Sequence, residues 1–128
     1  MTVFYCCHCA YELTPDLVAL PAVPEAPTDD RDRDRKTGLA PSTVPRGHYA
    51  VAPGDGDARG PVVMHPEDAP ALRPLPGGEN AAGCCGPTGR EGPNRACPCG
   101  VRLATLAADC LGPYELRVDP VRSYAFDG

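Results

Sequence analysis

Short runs of alternating apolar and polar residues recur along the chain, and no long helical period runs between them. VFY at residues 3–5 leads through a cysteine cluster into YELT (11–14), which alternates as a strand does. GHYAVA (47–52) sets Tyr49 and Val51 on one face, and GPVVMHP (60–66) is a second short apolar run. VRLATLA (101–107) and YELRV (114–118) follow; in the latter Tyr114, Leu116 and Val118 alternate with Glu115 and Arg117, the pattern of a half-buried antiparallel strand. The tail DPVRSYAFDG (119–128) keeps Tyr124 and Phe126 at strand spacing. Helix signals are brief. In TPDLVALP (14–21), Thr14 suits an N-cap, Pro15 the first helical position and Asp16 the first turn, which predicts one or two turns ending before Pro21. HPEDAPALRP (65–74) predicts a single turn, cut short by Pro70.

These elements predict a small, irregular β-rich fold with one or two short helices. Three regions follow: residues 1–20, with the first cysteines and the short helix; 21–45, a Pro-rich charged linker; and 46–128, a β-rich core holding the other cysteines. The linker assignment rests on five prolines and on DDRDRDRK, whose charges balance and which has no apolar residue to bury.

Composition makes the core a problem. Leu, Ile, Val and Phe supply only 22 of 128 residues, and there is no Trp. That falls below the roughly 20% at which burial struggles to offset conformational entropy. A chain so placed needs a staple, either disulfides or a metal. The abundance of Gly, Ala, Arg and Pro is that of a GC-rich gene, so composition is weak evidence of disorder. Net charge is −5 with no Lys/Arg cluster, which argues against a nucleic-acid partner and in favour of a protein one. No apolar run approaches membrane-spanning length, and MTVFYCCHC lacks the basic and apolar parts of a secretory signal. A cytoplasmic setting is therefore expected, where eight cysteines read as metal ligands or redox groups rather than a disulfide framework.

The cysteines stand at 6, 7, 9, 84, 85, 97, 99 and 110. Cys6 and Cys9 form a CxxC, a spacing at which two thiolates turn back on one ion while backbone N–H groups point at the sulfurs. After Cys9 the chain reads Ala-Tyr-Glu-Leu and after Cys99 Gly-Val-Arg-Leu: in each case a small, an apolar and a charged residue, then Leu13 or Leu103. A zinc knuckle leads into its outgoing strand in this way, the small residue taking the tight turn. Over about 10 residues at each end of a long insertion, the chain resembles the zinc-ribbon class, in which knuckles on two antiparallel hairpins clamp one metal. The resemblance implies Zn²⁺ carried by Cys6, Cys9, Cys97 and Cys99. The second knuckle here is CPC, one residue shorter than CxxC, and Ala10 stands where Gly is usual. The intervening chain is no obstacle: its length adds about 2 kcal/mol of closure entropy, against about 10–16 kcal/mol for binding a structural zinc. The whole chain is also loosely similar to small cysteine-rich proteins of high-GC bacteria.

Alternatives stay open for the remaining thiols. A local C-terminal site built from Cys84 or Cys85 with Cys97, Cys99 and Cys110 competes with the N-terminal pairing, and a second zinc using Cys84, Cys85 and Cys110 is a third arrangement. Vicinal Cys84 and Cys85, near Arg90 and Arg95, are candidates for a thiol redox enzyme or sensor, and soft thiolates also suit a zinc or copper(I) carrier. His8, His48 and His65 read as surface histidines rather than ligands. Glycines 83, 86, 89 and 92 have a collagen-like period but break after four, and the region lacks the Lys and the helix start of a phosphate loop. Turn geometry around a metal loop accounts for them best. No HExxH, GxSxG or deaminase signature occurs, so the leading expectation is a non-enzymatic zinc-binding module that meets a protein partner.

Overall fold

The computed structural model describes residues 1–24, 41–54, 60–81, 87–108 and 113–127. It is β-rich. The strands are β1 (Thr2–Cys6), β2 (Val18–Ala19), β3 (His48–Val51), β4 (Val62–Met64), β5 (Arg73–Pro74), β6 (Arg95–Ala96), β7 (Arg102–Ala107), β8 (Glu115–Val118) and β9 (Ser123–Asp127). Seven of them form one sheet in the order β2-β3-β4-β8-β7-β6-β5, and β1 and β9 form a separate antiparallel ribbon. Every pairing is antiparallel except β2 with β3.

Strand β1 shows why the fold closes on itself. Thr2, Phe4 and Cys6 point inward and Val3 and Tyr5 lie on the other face, as period-two alternation requires. One edge of β1 pairs with β9, setting Val3 opposite Phe126 and Tyr5 opposite Tyr124, whose rings stack with centroids 5.3 Å apart. The other edge is met by the chain returning from the first cysteines. Thr2 and Leu17 exchange both backbone hydrogen bonds (2.8 and 2.7 Å), and the Leu13 N–H donates to the Phe4 carbonyl at 2.8 Å.

That return displaces the helix expected over residues 14–20. The Thr14 hydroxyl, expected to cap a helix, instead accepts from the Phe4 N–H at 3.2 Å. Leu17 is committed to Thr2, and the Val18 and Leu20 N–H groups donate to the Gly47 and Tyr49 carbonyls, each at 2.8 Å. Non-local pairing that satisfies each of these amides outweighs one or two turns of weak helix.

The turn expected after His65 does form, as a 3₁₀ turn over Pro66–Asp68, with His65 Nδ1 accepting from the Glu67 N–H at 3.0 Å. Asp68, only 2% exposed, is balanced by Arg46 Nε at 2.6 Å and by the Gly47 N–H at 2.8 Å. A second 3₁₀ turn spans Pro76–Gly78.

The core is small. Phe4, Leu13, Leu17, Met64, Leu103, Leu116 and Val118 are buried together, and Cys6 and Cys97 belong to the same cluster. Asn94, fully buried, takes the place of a strand residue beside β7. Its Oδ1 accepts from the Leu106 N–H at 2.7 Å, its Nδ2 donates to the Leu106 carbonyl at 2.9 Å, and its own N–H donates to the Ala104 carbonyl at 3.0 Å. Of the segment expected as a linker, residues 25–40 lie outside the described residues; at its end Thr43 and Val44 are buried, and the Thr43 hydroxyl donates to Glu115 Oε1 at 2.8 Å. Among the described residues no helix is long and apolar enough to cross a membrane.

Candidate metal centre

Two loops meet at the edge of this core. The first leaves β1 at Cys6: the Ala10 N–H donates back to the Cys6 carbonyl at 2.8 Å, and the Cys6 N–H donates to the Tyr11 carbonyl at 2.9 Å. The second leaves β6 at Cys97 and repeats the pattern, with the Gly100 N–H donating to the Cys97 carbonyl at 2.8 Å and the Cys97 N–H to the Val101 carbonyl at 2.9 Å. The CPC loop thus closes with the same bonds as CxxC while using one residue fewer. In both loops the small residue after the last cysteine has positive φ, 61° at Ala10 and 98° at Gly100. An L-residue adopts that region only under constraint, so Ala10 marks a turn the surrounding bonds impose.

The loops bring Cys6, Cys9, Cys97 and Cys99 together, with all four Sγ atoms within 4.8 Å of one another. Cys6 lies 3.7 Å from Cys99, and Cys9 lies 3.6 Å from Cys97. All four are free thiols. Each loop contributes one buried sulfur, Cys6 or Cys97, and one exposed sulfur, Cys9 or Cys99. The four cysteines are positioned to hold a metal ion.

The backbone already favours the anionic form at some of these sulfurs. The Val101 amide bonds to Cys99 and lowers its pKa to about 7. At Cys9 the Tyr11 amide acts in the same direction, but desolvation and the Cys99 thiol outweigh it and the net shift is upward. Burial pushes Cys97 up to about 12, against the Cys99 amide that bonds to it. A divalent cation at the centre would supply the positive charge that holds these thiols ionised.

The other candidate residues stand apart from this cluster. Cys7 is exposed on the outer side of the first loop, its N–H donating to the Arg122 carbonyl at 2.9 Å. His8 is exposed at the same loop, the His48 ring donates from Nδ1 to the Arg46 carbonyl at 2.9 Å, and His65 caps its turn. Cys84, Cys85 and Cys110 lie outside the described residues, and with them the vicinal redox pair, the local C-terminal site and the second zinc. Asn94 is the residue that sequence reasoning passed over in this stretch; an Asn between Pro93 and Arg95 reads as one more turn residue. No protein-family model, curated protein or solved structure matches the chain.

Proposed function

We propose that the chain is a non-enzymatic, zinc-ribbon-like protein in which one Zn²⁺, held by Cys6, Cys9, Cys97 and Cys99, substitutes for a larger apolar core. The observation that carries this reading is the sulfur spacing. A tetrahedral site with Zn–S of about 2.3 Å has S–S edges of about 3.8 Å; two cross-loop pairs stand at 3.7 and 3.6 Å, and all four sulfurs lie within 4.8 Å of one another. Two loops with matching hydrogen bonds, each ending in a positive-φ residue, support the zinc-ribbon likeness. Four protein ligands leave no open position for water or substrate, the arrangement of a structural rather than a catalytic zinc.

The stapled fold serves as a protein-interaction module. Net charge of −5 disfavours polyanions, and zinc held by four thiolates makes the molecule more acidic still. The β1–β9 ribbon offers Tyr124 and Phe126, 44% and 61% exposed, as apolar contact surface.

Alkylation of the native protein before and after chelation tests the assignment. Cys7 should react at once, while Cys6, Cys9, Cys97 and Cys99 stay protected until chelator removes the metal, with the β-sheet signal lost in the same step. Rapid labelling of all four in the native protein would overturn the reading. Metal removal that leaves the sheet intact would favour the zinc or copper(I) carrier instead.

A further inference from the structure

A cavity of about 210 Å³ lies between the Pro66–Asp68 turn and strands β6, β7 and β8. Leu72, Leu106 and Leu116 give it apolar walls, and Arg95, Tyr114 and Glu67 supply its polar groups. Arg46, Arg102, Arg117 and Arg122 each meet a carboxylate. Arg95 is half-buried and meets none among the described residues; NH1 donates to the Asn94 carbonyl at 3.1 Å. A half-buried guanidinium with no carboxylate against it among the described residues is pre-shaped for a planar anion.

We propose that this cavity binds a small monocarboxylate with an apolar body, the carboxylate received by Arg95 and the body resting against Leu72, Leu106 and Leu116. The planar guanidinium fork matches a carboxylate with two parallel hydrogen bonds. The single positive charge of Arg95 balances one negative charge, and the Glu67 carboxylate in the same cavity disfavours a dianion such as phosphate. Glu67 is itself matched by Arg46 NH1 at 3.1 Å, so it does not compete for Arg95. The volume is below the roughly 300–1,000 Å³ of pockets for drug-sized ligands, which limits the body to a single ring or a short alkyl chain. Tyr114, braced edge-on by His65 at 5.7 Å between ring centroids, also lines the cavity. The proposal is independent of the metal reading.

Benzoate titrated into the metal-loaded full chain, followed by amide NMR shifts, is the test, with benzamide as the neutral isostere. Saturable shifts at Leu72, Arg95, Leu106 and Tyr114 are expected, with benzamide and the Arg95→Gln variant binding about tenfold or more weakly, the loss of one charge-assisted pair. Arg95→Lys, which keeps the charge without the fork, should fall between. Equal binding of benzamide, or shifts centred on the exposed Arg73 and Arg90, would overturn the proposal, as would no saturable shift at millimolar benzoate. The benzamide comparison uses the unaltered chain and stands even if Arg95→Gln does not fold.

Discussion

Ala10→Gly should stabilise the protein, although it removes a methyl group and loosens the unfolded chain. Ala10 is exposed, so its side chain contributes no packing, and its φ of 61° places an L-residue in the left-handed region. That conformation costs about 1–2 kcal/mol, which glycine does not bear. Against this stands about 0.4–1 kcal/mol of added unfolded-state entropy when alanine becomes glycine. The balance is a gain of about 0.5–1 kcal/mol, visible as a higher urea midpoint with an unchanged slope. The mirror substitution, Gly100→Ala at φ 98°, should lower the midpoint. Both series belong at saturating zinc, so that metal occupancy does not vary between variants. If Ala10→Gly instead destabilises, as glycine does in an ordinary exposed loop, the chain does not hold the turn at Ala10, and the equivalence of the two cysteine loops fails with it.

Asn94→Ala should destabilise by about 2–4 kcal/mol, because it leaves the Leu106 N–H and carbonyl without their partner inside the fold; chemical denaturation measures it, and a loss under about 1 kcal/mol would deny Asn94 its strand-like role. Burial lowers the His65 pKa, so between about pH 6.5 and its folded value the unfolded chain binds the proton more readily and stability falls as pH falls. His65→Asn keeps a capping acceptor without titrating; its stability should depend less steeply on pH across that window, and equal slopes would refute the assignment. Cobalt(II) in place of zinc should give the intense visible bands of a tetrahedral tetrathiolate site, and Cys99→Ser should weaken and shift them, whereas spectra typical of six-coordinate cobalt would refute the four-sulfur geometry.

Strands with clear alternation were legible in the sequence. YELRV became β8 with Leu116 and Val118 buried as expected, although Glu115, expected on the outer face, is buried too, held by Thr43 and Arg117; VRLATLA became β7. Residues 14–20 were not, because their local signals favour a helix while the hydrogen bonds that decide the matter come from Thr2, Gly47 and Tyr49, distant in sequence. Thr14 shows the ambiguity in one side chain, since a hydroxyl suited to cap a helix can equally cap a strand amide. The proximity of Cys6, Cys9, Cys97 and Cys99 was anticipated through the shared pattern after Cys9 and Cys99, and Ala10, odd by composition, takes the positive φ that pattern requires. Nothing in the sequence marked Asn94 or the Arg95 cavity, because each depends on which strands become neighbours. Strands β5 to β8 lie in the sheet in their order along the chain, whereas the join of β4 to β8 pairs segments distant in sequence.

On the proposed reading, a cation held by two cysteine loops far apart in sequence stabilises a fold too poor in apolar residues to stand alone. Zinc content per chain, measured by elemental analysis of native protein and of Cys6→Ser purified without added metal, tests it most directly. One zinc in the native protein, with loss of both metal and ordered structure in the variant, is expected. A native protein that is stably folded without any metal, or a Cys6→Ser variant that retains full zinc, would contradict it.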